Sequence, residues 1–216
     1  MASIVDICNL ALAHLGDEAT VSSIDPPEGS AQAEHCARFY PVARDAALEA
    51  HNWNFATTRV QLAAVESHWP SWSCCYVLPA DYIKAIAVLP PGVMDDYSTS
   101  LGGGRYPAPG AVYSPQAYSI ETDETGRRLL YTDQAEAVLR YVRRVEDATR
   151  FSPLFVDALS RLLASYLAGP VIKGSEGTQA ARAQLSAYSM FFGQATASDS
   201  NQRQARPRQN VPWIGG

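Results

Sequence analysis

The chain changes its apolar periodicity twice, and the first change falls on the run Ala50-His51-Asn52-Trp53-Asn54-Phe55-Ala56. Before that run, apolar residues recur at helical spacing. After it, proline, glycine, tyrosine and β-branched residues rise, and a second marker, Val77-Leu78-Pro79-Ala80-Asp81-Tyr82, sits among them. Helical spacing returns at Ser152-Pro153, a cap followed by proline at the first helical position. None of the four helical segments is long enough to hold alone in water, so their apolar faces must cover one another. The expected fold is therefore α+β. A four-helix bundle is built from both chain ends, with a β-rich, sandwich- or barrel-like insert and an extended C-terminal arm. The expected boundaries are 1–51 and 151–198 for the helices, 52–150 for the insert and 199–216 for the arm.

Local signals place the elements. Ser3 caps a first helix, with Asp6 set to complete a capping box and Gly16 to end it. Ser30 opens a second helix running to about His51, in which Pro41 predicts a kink. Strands are expected over Thr57–Leu62, Tyr82–Leu89, Ala117–Glu121, Arg128–Tyr131 and Ala137–Val145, with a turn at Thr125-Gly126. The third helix carries Leu154, Phe155, Ala158, Leu159, Leu162, Leu163, Tyr166 and Leu167 on one face, with Ser160 off it. Gly169-Pro170 is expected to bend it. Ser175 is expected to cap a fourth helix reaching about Ala197, with Ala181, Leu185, Tyr188 and Phe192 on its packed face.

Composition narrows the function. The 216 residues are 47% hydrophobic and 18% charged, enough for a substantial buried core. No apolar run reads as a membrane span, and the start of the chain reads as helix rather than secretion signal. Four cysteines, two of them adjacent, make a poor disulfide framework and point to synthesis in a reducing cytoplasm. A net charge of −5 argues against general phosphate neutralisation by the body of the chain.

The residues offer no seat for catalysis or for a cofactor. The four histidines (His14, His35, His51, His68) form no zinc-peptidase pair with glutamate. A zinc site from Cys8, Cys36, His35 and His51 would need the bundle to converge them; core thiols and boundary imidazoles are the expected reading. Cys74-Cys75 is expected to place its side chains on opposite faces of a strand. No serine elbow exists, and Gly102-Gly103-Gly104 is neither a phosphate cradle nor a dinucleotide fingerprint. Asp95-Asp96 and Glu121/Asp123/Glu124 read as solvated loop charge. The expectation is a non-enzyme without metal or cofactor.

Two segments read as contact elements. In the arm, Arg203, Arg206 and Arg208 occur with no acid after Asp199, followed by Trp213-Ile214, a large apolar anchor of the kind that fills a partner's pocket. The loop Gly102, Gly103, Gly104, Arg105 and Tyr106 is too glycine-rich to hold one shape alone and reads as mobile or ordered by a partner.

Taken together, these residues resemble the tail tubular protein A, or head-to-tail adaptor, family of short-tailed bacteriophages. The resemblance rests on Ile4-Val5-Asp6-Ile7-Cys8-Asn9-Leu10-Ala11-Leu12 with Leu15-Gly16, and on Ala33 to Cys36. It continues through Tyr40 and Ala43-Arg44-Asp45 to Leu48, then His51-Asn52-Trp53-Asn54-Phe55-Ala56 and Leu78-Pro79-Ala80-Asp81-Tyr82. The closing helices around Ala183 to Leu185 and the polar arm fit as well. Nothing aligns between about Pro90 and Gly126, and Pro41 departs from the pattern.

The resemblance implies a structural virion protein at the head–tail interface of a podophage. Such adaptors form a twelvefold homo-oligomeric ring beneath the portal protein. The helical part would join the ring and meet the portal, the arm would reach up to it, and the β-rich part with its glycine-rich loop would face the tail nozzle protein. Double-stranded DNA would pass through the channel without specific binding, and an acidic wall repeated round a ring suits that passage. The alternative reading is a DNA-binding or genome-packaging accessory protein.

Overall fold

A computed structural model describes residues 2–18, 20–67, 69–91 and 116–202. It is α+β: four α-helices and two antiparallel sheets. The chain divides into two compact units. The first combines residues 1–56 with 143–202, and the second holds residues 57–142.

In the helical unit, α1 (Ile4–Ala13) begins as its sequence dictates. The Ser3 hydroxyl accepts from the Asp6 amide at 3.1 Å, and Asp6 Oδ2 accepts from the Ser3 amide at 2.8 Å, completing the capping box. Its end is a Schellman motif: Asp17 N–H bonds the Leu12 carbonyl at 3.1 Å and Gly16 N–H bonds Ala13 at 3.0 Å, with Gly16 at φ +75°. Helix α2 (Ala31–Ala50) is capped by Ser30 and continues on both sides of Pro41. Helix α3 (Pro153–Ile172) is capped by Ser152 and packs against α1, α2 and α4.

Helix α3 corrects the expectation that no apolar run reads as a membrane span. It is long and apolar enough, at a mean hydropathy of 1.3, to cross a membrane by length and composition. However, 56% of that window is buried inside the unit, which makes it the core helix. It also runs through Gly169-Pro170 to Ile172. Pro170 lies in the last turn, where the helix stops because Lys173 (φ 63°) and Gly174 (φ 62°) both take left-handed backbone. Helix α4 (Gly174–Asn201) therefore starts at a sharp turn without a side-chain cap, and Ser175 is inside it. It ends at Asn201, four residues beyond the expected stop, because Asp199 is buried and held there.

The close crossing of α3 and α4 is made at Gly177, which is buried. A Cβ there would lie 2.9 Å from the Ala168 carbonyl oxygen and 3.6 Å from Gly169 Cα. The packed face of α4 also differs from expectation. Gly177 and Ala195 are buried and Tyr188, Phe191 and Phe192 are half-buried, whereas Leu185 is 49% exposed.

In the strand-rich unit, one sheet has the order β1-β7-β4, from β1 (Thr57–Gln61), β7 (Val138–Arg143) and β4 (Tyr82–Leu89). The last residue of β7 falls just past the division between the units. The other sheet has the order β2-β3-β6-β5, from β2 (Ala63–Val65), β3 (Cys74–Val77), β6 (Arg128–Thr132) and β5 (Tyr118–Thr122). Both sheets contribute to one core of Leu62, Tyr76, Leu78, Tyr82, Val88, Leu130, Ala137, Leu139 and Tyr141. Period-two alternation sends Cys75, Leu129 and Tyr131 to the opposite face of the four-stranded sheet, where Val65, Trp72 and Val77 pack on them. Cys74 packs on the main core instead, so the adjacent cysteines do face opposite ways.

Candidate functional site

Both markers that stand out in the sequence are tie points of the fold. Trp53 is fully buried, and its indole N–H donates to the Ala47 carbonyl at 2.8 Å. Its ring lies edge-on to Phe155 (4.9 Å between centroids), Phe192 (5.7 Å) and His51 (4.8 Å) and stacks with Phe55 at 5.8 Å. One side chain thus gathers α3 and α4 onto the segment that follows α2, which is why a large amphipathic ring is needed at this position.

A polar clasp lies beside it. Asp199 is 6% exposed, and its carboxylate accepts from the Asn54 amide at 3.1 and 3.2 Å and from His51 Nε2 at 3.3 Å. Asn54 Nδ2 returns a bond to the Asp199 carbonyl at 2.6 Å. A carboxylate in the last turn of a helix is opposed by the helix dipole, so these donors are what hold it buried. No local pattern marks Asp199 for this role; in the sequence it reads as the first residue of a polar tail.

The second marker closes a turn. Tyr82 N–H bonds the Pro79 carbonyl at 3.1 Å, and Asp81 Oδ1 accepts from the Tyr141 hydroxyl at 2.8 Å. The Tyr82 hydroxyl accepts from Ala85 N–H at 2.9 Å while the Arg128 guanidinium sits 5.1 Å over its ring. The acidic cluster after β5 is also structural. Asp123 Oδ1 accepts from Thr125 N, Thr125 Oγ1 and Arg127 N, and the Thr125 hydroxyl is the chief cause that holds this carboxyl below its usual range.

The histidines and cysteines sort into separate environments. Cys8 and Cys36 are free, buried thiols on the inward faces of α1 and α2, while His51 is engaged by Asp199 and Trp53. Among the described residues, no three His, Cys, Asp or Glu side chains converge as a metal site would need. His14 meets Ser160, which is fully buried although its position reads as off the apolar face. Two bonds explain the burial. The Ser160 hydroxyl donates to the Asp157 carbonyl at 2.8 Å and lies 3.1 Å from His14 Nε2.

The outward side of α4 was not foreseen in this form. From Ala183 through Ser198 the helix contains no Asp, Glu, Lys or Arg. Ala183, Ser186, Met190, Gly193 and Ala197 follow one another at spacings of three and four, and all are exposed, Met190 by 57%. Leu185 flanks this row. Of the alanines and glycines of α4 from Ala180 onward, Ala195 is buried and Ala180, Ala181 and Ala187 are half-buried, leaving Ala183, Gly193 and Ala197 on the free side.

The two expected contact elements lie outside the described residues. These are Arg203, Arg206, Arg208, Trp213 and Ile214 of the arm, and Gly102, Gly103, Gly104, Arg105 and Tyr106 of the loop; the same holds for Asp95, Asp96 and His68. The chain matches no family model, and no curated protein matches it.

Proposed function

We propose that this protein is a structural subunit of a podophage virion, an adaptor that forms a homo-oligomeric, twelvefold ring between the portal protein and the tail nozzle protein. In this reading its helices from both chain ends act as one four-helix bundle in the ring, and the β-rich insert is a sandwich- or barrel-like module that meets the nozzle. The residues after Gln202 reach the portal. DNA passes through the ring without being gripped.

The observation that carries the reading is the outward side of α4. A surface helix that faces only water normally bears charge on its free side. Here more than four turns carry none while exposing Leu185 and Met190, and depletion of charge with exposed methionine suits the core of a protein–protein contact. The charge layout agrees. All 22 acidic residues precede Arg203, against 14 of the 17 basic ones, so an acidic body carries a basic tail.

The test is assembly with a portal ring, followed by electron microscopy and co-sedimentation. The full chain should decorate the portal as a ring. A chain cut after Gln202 should fold and fail to bind; a cut after Ala197 is unsuitable because it removes Asp199. The double variant Leu185→Glu, Met190→Glu should fold and fail to close the ring. Undiminished ring formation by that variant, with undiminished portal binding by the cut chain, would refute the proposal. Duplex binding that falls steeply as salt rises would favour the DNA-binding alternative.

A further inference from the structure

We propose that α4 is exchangeable between copies of this chain: the junction at Lys173 straightens, α3 and α4 run on as one helix, and α4 docks on the α3 of a second copy, which returns its own in a two-fold dimer. The reason lies in the junction. A single residue separates the two helices, and the turn is made at Lys173 (φ 63°, ψ 167°) and Gly174 (φ 62°). The Lys173 angles fall in a region essentially reserved to glycine, so a residue with a Cβ is held there by the packing of the helices it joins. Short strained hinges of this kind favour exchange, because the exchanged form keeps the contacts of the closed one and relieves the hinge.

The backbone is already set for the straight form. Lys173 N–H donates to the Gly169 carbonyl at 3.0 Å and Gly177 N–H to the Lys173 carbonyl at 3.1 Å, both at the spacing of an α-helix. Turning Lys173 and Gly174 to helical angles lets the amides of Gly174, Ser175 and Glu176 reach the carbonyls of Pro170, Val171 and Ile172. A helix end leaves such groups without a partner in its own helix, and α4 starts without a side-chain cap. The product is one helix from Pro153 to Asn201, about 70 Å long at roughly 1.5 Å per residue. Pro170 is no obstacle, since it already sits within α3. What α4 gives up on opening, the second copy restores. Its main helix packing is with α3. Gln184 Nε2 donates to the His14 carbonyl at 2.8 Å, Arg161 lies 4.1 Å over the Phe191 ring, and Asp199 holds the Asn54 amide. Each of these joins α4 to another part of the helical unit, so each is remade with the partner's α4. The exchange concerns the inward side of α4, whereas the ring contact proposed above uses its outward side, and neither depends on the other.

The experiment holds the full chain at millimolar concentration in urea below its unfolding midpoint and returns it to buffer. Mass is then read by size-exclusion chromatography with light scattering. Wild type should give monomer and a dimer that persists on dilution, because separation requires α4 to leave its site. Gly174→Ala should favour the dimer. A Cβ there meets nothing within 4 Å, so the substitution acts only by penalising the left-handed turn and favouring helix. At about tenfold per hinge, with a hinge in each copy, the dimer dissociation constant should fall about a hundredfold. Lys173→Gly, and separately a short glycine–serine insertion after Lys173, should hold the chain monomeric. The proposal is overturned if wild type and Gly174→Ala both stay monomeric, or if either hinge substitution dimerises just as wild type does. It is equally overturned if the dimer falls apart as fast as it is diluted, which marks a surface contact without exchange. Should Gly174→Ala fail to fold, wild type against Lys173→Gly decides alone.

Discussion

Replacing a helical glycine by alanine usually stabilises a protein, and in helix α4 the sign should depend on which glycine is changed. Gly177 and Gly193 both lie within the helix, and neither has left-handed backbone. At either site alanine would recover up to about 1 kcal/mol of helix propensity. At Gly193 a Cβ meets nothing within 4 Å, so that gain should be realised in full. At Gly177 the new carbon would sit 2.9 Å from the Ala168 carbonyl oxygen, inside van der Waals contact, and the obstacle is backbone of the core helix α3. Relief requires α3 and α4 to separate by several tenths of an ångström at their closest crossing. Overpacking of this kind costs about 1–3 kcal/mol, and the propensity gain offsets only part of it. Urea unfolding followed by far-ultraviolet circular dichroism should therefore place Gly177→Ala below wild type and Gly193→Ala above it, with the two roughly 1–3 kcal/mol apart. Equal stability of the two variants would refute the crossing described for α3 and α4.

Asp199→Ala should destabilise the helical unit by about 2–4 kcal/mol, since it strands the Asn54 amide and the His51 ring nitrogen. Asp199→Asn keeps an acceptor and should cost less; a loss below about 0.5 kcal/mol for alanine in urea titrations would show the clasp to be idle. His14 is held below its ordinary value of 6.5, first by burial and then by the Arg161 charge. The unfolded chain therefore takes up this proton more readily than the folded one. The contribution is present in full above pH 6.5 and is lost as pH falls through the lower folded value. Urea midpoints measured from pH 7.5 downward should fall less steeply in His14→Gln than in wild type, and parallel curves would count against this assignment.

The features most legible in the sequence are those set by residues near one another along the chain. Ser3 with Asp6, Ser30, Ser152 with Pro153, and Gly16 each satisfy backbone groups within a few residues, and the helix ends fall where they indicate. The strand Tyr82–Leu89 is likewise bounded by its own turn chemistry. At strand β3 the opposite facing of Cys74 and Cys75 is legible but the bounds are not, because Cys74-Cys75-Tyr76-Val77 is apolar on both faces and shows no alternation of polarity. Ser160 looks like a surface residue until its partners His14 and Asp157 are known, and Leu185 looks like a packed one until α4 is placed against α3. Asp199 is the extreme case. Its donors, His51 and Asn54, are 148 and 145 residues away, a distance over which no local pattern can carry information.

The helical unit also sets a schedule for synthesis. Helices α1 and α2 are complete by Ala50, but α3, which supplies most of what covers them, begins only at Pro153. At roughly 5–20 residues per second, the ribosome needs about 5–20 s to make the intervening stretch. For that interval Ile7, Leu12 and Leu48, all fully buried in the finished molecule, wait without their cover. Slowed elongation between residues 51 and 152 would lengthen the wait and should lower the yield of soluble chain, leaving the stability of the molecules that do fold unchanged.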